Sequence, residues 1–181
     1  MLSEIVGKSD KRLATRCKCF TNESKSLITA KDLGLCSYSE CIKFAKENTS
    51  NWHDIILMLM CDCIGLNVDR HFGNIGFLYN PDNMQVIEVA PMYDDNLSML
   101  CYYDERENLD YYISDLRAKD GRRFDELAEW LIRDNRWLFK NLQSHSMSIN
   151  YEGISDKWLS MVNKVVNDNY LRYQDMYKRV W

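Results

Sequence analysis

The sequence predicts a mainly helical fold with one β-hairpin embedded in its middle. Apolar residues recur at helical spacing over most of the chain after residue 36. Two short β-prone runs flank a turn sequence near residue 80. The 181 residues contain two prolines and seven glycines, and so few helix-breaking residues favour long regular elements. A hydrophobic content of 46% is sufficient for a sizeable core.

Two helices are predicted before the hairpin. Ser37-Tyr-Ser-Glu40 is a capping-box pattern, in which the serine accepts a backbone N–H and the glutamate reaches back to the cap. It predicts a helix that extends to about Asn48. Thr49 or Ser50 is expected to cap the next helix, which is apolar on nearly all sides and ends at Gly65. We therefore expect the second helix to be buried at the centre of the fold.

The hairpin is predicted between residues 75 and 90. Ile75–Tyr79 and Met84–Ala90 are the two β-prone runs, and Asn80-Pro-Asp-Asn83 between them is a strong turn sequence. Beyond residue 105 the spacing of apolar residues predicts two long helices with core-facing stripes. One stripe runs over Phe124–Leu142 and the other over Trp158–Tyr177.

The composition argues against several classes of partner. The formal net charge is −4, whereas binding to a phosphate backbone requires an excess of Lys and Arg on one face. The longest apolar run, Ile55–Met60, is far shorter than a membrane span, and the first eight residues lack the apolar run of a signal peptide. We therefore expect a cytoplasmic protein that binds neither nucleic acid directly nor membranes.

Seven scattered cysteines are an odd number, which favours reduced cytoplasmic thiols over a disulfide framework. Two Cys-x-Cys pairs, Cys17 with Cys19 and Cys61 with Cys63, raise the alternative of a zinc site. Their spacing is shorter than that of zinc fingers, so free thiols are the favoured interpretation.

The residues that carry chemistry lie on both sides of the hairpin. Asn67-Val-Asp-Arg-His-Phe-Gly-Asn74 precedes it and Ala90-Pro-Met-Tyr-Asp94 follows it. Because a hairpin brings its ends together, we expect Asp69, Asn74 and Asp94 around one small volume. Phosphoryl transfer needs a carboxylate that accepts the proton of the attacking hydroxyl, and amide and carboxylate oxygens that hold Mg²⁺. Protein kinases use the Asp-x-x-x-x-Asn spacing that separates Asp69 from Asn74.

These two motifs resemble those of the HipA-like serine/threonine kinases, a family typified by the kinase toxin of bacterial toxin–antitoxin pairs. The catalytic loop of that family reads Asn-x-Asp-Arg-His-x-x-Asn, and its metal loop reads Ala-Pro-x-Tyr-Asp. The resemblance implies a helical kinase-like C-terminal lobe whose hairpin carries the catalytic and metal loops. It also implies that Asp69 is the catalytic base, and that Asn74 and Asp94 bind Mg²⁺ and, through it, ATP. Arg70 and His71 are expected to support the catalytic loop structurally, Arg70 by bracing the acidic metal loop.

The predicted domain organisation is a segment that joins two kinase lobes, residues 1–35, followed by the HipA-like C-terminal lobe, residues 36–181. A strand with its connection takes roughly 10 residues, so the first segment is too short for a five-stranded N-lobe. Gly7, Gly34 and Gly65 are isolated, so no glycine-rich phosphate loop is expected. We therefore expect a separate N-lobe or an antitoxin as partner, in addition to the protein substrate.

Two functions follow from this interpretation. The first is ATP- and Mg²⁺-dependent phosphoryl transfer to a Ser or Thr hydroxyl of a protein, with the N-lobe supplied by another chain. The second is a non-catalytic kinase lobe that acts as a regulatory or interaction module. A phosphoinositide kinase is disfavoured, because the metal loop is differently built in that family and the sequence has no basic membrane-binding patch.

Overall fold

The computed structural model describes residues 4–9, 12–16, 19–95, 97–140 and 155–179, with the backbone alone in the first two ranges. The described strands and helices, in chain order, are β1 (Glu4–Ser9), β2 (Arg12–Arg16), β3 (Ser26–Thr29), α1 (Tyr38–Asn48), α2 (His53–Gly65), β4 (Gly76–Tyr79), β5 (Val86–Val89), α3 (Leu109–Asp115), α4 (Phe124–Asp134), a short 3₁₀ helix (Arg136–Phe139) and α5 (Asp156–Arg179). The fold is mixed rather than mainly α, because two small sheets accompany the helices.

The predicted hairpin is confirmed, and it belongs to a larger sheet. β4 pairs antiparallel with β5, and on its other side β4 pairs antiparallel with β3, which the sequence analysis did not predict. Leu27 lies opposite Leu78 in the first pair, and Phe77 lies opposite Val89 in the second. β4 is therefore the central strand, and it is buried except at its last residue.

A second, separate hairpin is formed by β1 and β2 near the beginning of the chain. β2 ends at Arg16, and Cys19 and Phe20 lie outside any strand. A turn follows at residues 22–25, where Asn22 and Lys25 pair through their backbones.

The serine half of the capping box predicted for α1 is confirmed, whereas the glutamate bonds one residue earlier than predicted. The Ser37 hydroxyl accepts a hydrogen bond from the backbone N–H of Glu40 at 3.1 Å. The Glu40 carboxylate accepts the N–H of Cys36, one residue before the cap. Thr49 and Ser50 do not cap α2, because that helix begins at His53, after Trp52.

α2 is the central helix, as predicted, and packs against α1, α4 and α5. It ends at Gly65, and Leu66 then adopts a left-handed conformation with φ of +53°. This backbone turn ends the helix and leads directly into residues 67–74.

The stripe predicted over Phe124–Leu142 is divided between two elements. α4 ends at Asp134 because the side chain and the backbone N–H of Asn135 both hydrogen-bond to the carbonyl of Leu131. The 3₁₀ helix that follows keeps Phe139 in the core, whereas Leu142 lies outside the described residues. The second predicted stripe is confirmed in α5, which buries Val162, Val165 and Tyr173 among others.

Two further observations concern the state of the cysteines and the capacity of the helices to span a membrane. All six cysteines in the described ranges are free thiols; Cys17 lies outside them. None of the helices in those ranges combines the length and the apolar character that crossing a bilayer requires.

Candidate active site

The candidate site is formed by two loops, residues 67–74 after α2 and residues 91–95 after β5. Two backbone hydrogen bonds connect the end of α2 and the first loop to the chain that follows the second loop. Val68 donates to Leu97, and Met99 donates to the carbonyl of Gly65 at 2.6 Å. The two loops predicted from the sequence to be neighbours are therefore held side by side.

Arg70 is the centre of this arrangement, and its side chain is only 1% exposed. The guanidinium donates to both carboxylate oxygens of Asp62, Nε at 2.9 Å and Nη2 at 3.0 Å. Nη1 donates to the carbonyl of Asn74 at 3.0 Å and to that of Tyr93 at 2.8 Å. Nη2 also donates to the Asp95 carboxylate. One side chain thus links α2, the 67–74 loop and the 91–95 loop.

Burial and the neighbouring hydrogen bonds act in opposite directions on the ionisation of Asp62 and Arg70. Burial raises the pKa of the Asp62 carboxyl, while the hydrogen bonds from Arg70 and Asn67 counteract that rise. Burial by itself would lower the pKa of Arg70, but the hydrogen bonds and charges of Asp62 and Asp95 outweigh it and raise the pKa. Arg70 is therefore a permanently charged anchor between two carboxylates.

The 67–74 loop has a dense internal network of hydrogen bonds. Asn67 donates to Asp62 at 2.9 Å, and its side-chain oxygen accepts the backbone N–H of Asp69 at 3.0 Å. The Asp69 carbonyl accepts the backbone N–H of His71 at 2.7 Å and the side-chain amide of Asn74 at 3.2 Å. His71 accepts the N–H of Gly73 through Nδ1. These bonds set the loop shape around Asp69 and Asn74.

Asn74 is buried, and the nitrogen and the oxygen of its side-chain amide differ in their hydrogen bonding. The nitrogen of the amide is used by Asp69, and the side-chain oxygen accepts no hydrogen bond from any described residue. That oxygen is available to a ligand from outside the chain.

Tyr93 makes a second connection between the loops. Its hydroxyl donates to the carbonyl of Gly73 at 3.0 Å, and its ring contacts that of Phe20, with the ring centroids 5.9 Å apart. Gly76 leaves room for this tyrosine, because a Cβ there would lie 3.0 Å from the Tyr93 hydroxyl and 2.5 Å from Leu27 Cδ1.

The adjacent carboxylates of Asp94 and Asp95 differ in their surroundings. Asp95 is bound by Arg70, and its carbonyl accepts the hydroxyl of Ser98. Asp94 is exposed in a left-handed backbone conformation with φ of +56°. Within the described ranges its carboxylate has neither a hydrogen bond nor an ion pair.

The structure places the predicted residues in two groups. Asp69 and Asn74 are in direct contact, while Asp94 is linked to them through Tyr93 and Arg70. Over the described residues, no group of three or more His, Cys, Asp or Glu side chains is arranged to hold a metal ion. Any cation here would bind to amide and carboxylate oxygens together with a ligand's own oxygens.

Three contributors to this site were not predicted. Asp62 had a signal in the sequence, since a carboxylate in the apolar interior of a helix implies a buried partner. Tyr38 donates its hydroxyl to the carbonyl of Arg70 at 3.0 Å, and Lys119 lies 3.4 Å from the Asp69 carboxylate. Neither of these contacts has a signature in the local sequence, because each partner lies more than thirty residues away.

Comparison with known proteins supports the fold alone. No protein-family model matches the chain, and no curated protein sequence matches it. The crystal structure of a proinflammatory kinase of Helicobacter pylori, CtkA, is similar, with a TM-score of 0.61 and 15% sequence identity. The match covers 99% of this chain and 76% of that one. The chain therefore has a kinase-like fold.

Proposed function

We propose that this chain is the catalytic lobe of an ATP- and Mg²⁺-dependent protein kinase that phosphorylates Ser or Thr hydroxyls. The observation that carries the proposal is the set of hydrogen bonds by which Arg70 connects the two loops. Arg70 binds the loop of Asp69 and Asn74 to the loop of Asp94. The oxygens expected to act on the substrate and the metal have few hydrogen-bond partners among the described residues. The similarity of the fold to that of a bacterial kinase supports the same function.

The proposed roles follow from the chemistry of the side chains. Asp69 orients the acceptor hydroxyl and takes its proton as the hydroxyl oxygen bonds to the γ-phosphorus. The bond from that phosphorus to the β–γ bridging oxygen breaks, and ADP leaves. When bound, Mg²⁺ would neutralise negative charge on the phosphates. Asn74 and Asp94 would hold the ion.

The residues present fit Mg²⁺ as the metal. The side-chain oxygen of Asn74 and the carboxylate of Asp94, neither of which has a partner among the described residues, are hard oxygen donors, which Mg²⁺ prefers. Mg²⁺ is usually bound through one or two protein ligands, with water and substrate phosphates completing its coordination. Two protein oxygens are therefore sufficient.

We further propose that the kinase is of the HipA-like type. This rests on the two motifs in the sequence, Asn67–Asn74 and Ala90–Asp94, which the fold places side by side. We propose that Arg70 and His71 support the catalytic loop. This proposal is supported by the hydrogen bond from Arg70 to the carbonyl of Tyr93 and by the bond from the Gly73 N–H to His71. A separate N-lobe or an antitoxin would be its partner.

The test is transfer of labelled phosphate from ATP in the presence of Mg²⁺, with and without the product of the neighbouring gene. We expect phosphate on a protein Ser or Thr in at least one condition, and a loss of about 10²–10⁴-fold in Asp69→Asn. Asp82→Asn, in the exposed turn of the hairpin, is the matched control and should retain activity. Absence of transfer under both conditions would refute the proposal and favour the non-catalytic module.

A further inference from the structure

Lys119 reaches the candidate base from a distant part of the chain. Its Nζ lies 3.4 Å from Oδ1 of Asp69, across fifty residues of sequence. Among the described residues, no side chain other than Lys119 bonds to the Asp69 carboxylate. Oδ2 of Asp69 therefore has no described partner on the protein.

The segment that carries Lys119 is a turn closed by backbone hydrogen bonds. Ala118, which is buried, donates to the carbonyl of Arg122, and Gly121 donates back to the carbonyl of Ala118. Gly121 has φ of +87°, a conformation that favours glycine. Arg122 lies over the ring of Trp130 in α4, 4.3 Å from its centroid. The turn is thus fixed to the core on one side and to α4 on the other.

The neighbouring charge does not compete for Lys119. Asp120 accepts the backbone N–H of Arg122 at 3.1 Å and the side-chain Nε of the same residue at 2.6 Å. Asp120 thus pairs with Arg122, whereas the described partner of Lys119 is Asp69.

We infer that Lys119 is a positioning residue for Asp69, an inference that rests on the proposed kinase function. The ammonium group holds Oδ1, so that the carboxylate keeps one orientation and presents Oδ2 to the acceptor hydroxyl. Orientation of this kind contributes to the rate of phosphoryl transfer, because in this chemistry the protein acts mainly by positioning and electrostatics. The C-terminal lobe then carries its own lysine at the reaction centre, on the turn between α3 and α4.

The first experiment is a double-mutant cycle that requires no nucleotide. The unfolding equilibrium is measured for the wild-type chain, Lys119→Met, Asp69→Asn and the double variant. If Lys119 engages Asp69, the four unfolding constants should show a coupling of about two- to fivefold, as exposed ion pairs do. Independent effects of the two substitutions would refute the contact, whatever the chain's activity.

The second experiment is kinetic and separates positioning from folding. Lys119→Met should lower kcat about tenfold with little change in KM for ATP, and Lys119→Arg should restore most of the loss. The matched control is Lys43→Met on the exposed face of α1, which should behave as the wild type. An unchanged or increased kcat in Lys119→Met, or no recovery with arginine, would refute the inference.

The two experiments distinguish this inference from the function on which it depends. A wild-type chain that transfers no phosphate would refute the kinase function, and the kinetic role of Lys119 with it. In that case the unfolding cycle would still show whether Lys119 and Asp69 act as a pair.

Discussion

Asp62, buried within α2, accepts two hydrogen bonds from the guanidinium of Arg70, eight residues further along the chain. The pair joins the central helix to both loops of the candidate site, since the remaining donors of Arg70 bind Asn74, Tyr93 and Asp95. The geometry of the site therefore depends on an ion pair in the core, and its loss should affect stability and activity together.

Substitution of Arg70 by Met should destabilise the protein by about 3–5 kcal/mol, because it leaves Asp62 buried without its partner. Urea unfolding of the variant measures this change. Arg133→Met, on the exposed face of α4, is the control and should shift stability by no more than about 0.5 kcal/mol. A double variant, Asp62→Met with Arg70→Met, should recover part of the loss; a double variant as unstable as Arg70→Met would contradict the explanation by an unpaired charge.

The adjacent acids Asp94 and Asp95 should respond differently to the same substitution. Asp94→Asn should weaken Mg²⁺ binding in the presence of ATP at least about tenfold and leave folding stability almost unchanged, because its carboxylate is exposed. Asp95→Asn should cost about 1 kcal/mol of stability through its bond to Arg70. Isothermal titration and urea unfolding measure the two effects. A larger loss of Mg²⁺ affinity in Asp95→Asn would show that the metal ligand had been assigned to the wrong residue.

Removal of the Tyr93 hydroxyl tests the second connection between the loops. Tyr93→Phe should lower the free energy of unfolding by about 1 kcal/mol, because the carbonyl of Gly73 loses its donor in a half-buried position. Thermal unfolding is a suitable measurement. Tyr111→Phe, whose side chain is 75% exposed, should have no measurable effect, and an equal effect of both substitutions would argue against the contact.

The protein should lose stability above about pH 9. Burial raises the pKa of the Cys41 thiol to about 12, and burial also raises the pKa of the Tyr38 and Tyr173 hydroxyls. In the unfolded chain these groups release their protons near their ordinary pKa values, so unfolding becomes coupled to proton loss. The stabilisation is complete below the unfolded pKa and disappears as the pH rises through the folded pKa.

Each such group should contribute a slope of up to about 1.4 kcal/mol per pH unit within its window. Urea unfolding under reducing conditions between pH 7.5 and 11 measures the slope. Cys41→Ala should decrease it, since the substitution removes one of the coupled protons. A stability that stays level over this range would contradict the burial of these groups.

Sequence reasoning succeeded where the signal was local. The Ser37 cap, the turn at residues 80–83 and the burial of α2 each depend on residues within one element, and all three are confirmed. β3 was missed because Ser26–Thr29 is only four residues long and is ordered by pairing with β4. The break in the helix after Asp134 was missed because apolar residues keep their spacing through the 3₁₀ helix.

The sequence by itself determined which side chains stand next to the hairpin and in which order, including the spacing from Asp69 to Asn74. It also placed two acids, Asp94 and Asp95, at the end of the second loop. The resemblance assigned the metal role to Asp94, and only the tertiary structure shows how the surroundings of the two carboxylates differ, since Arg70 binds Asp95 and Asp94 has no described partner. The tertiary structure also decided that Lys119 reaches Asp69. The reason is physical: the choice of hydrogen-bond partner for a charged group depends on packing in three dimensions, which pairs residues far apart in the chain.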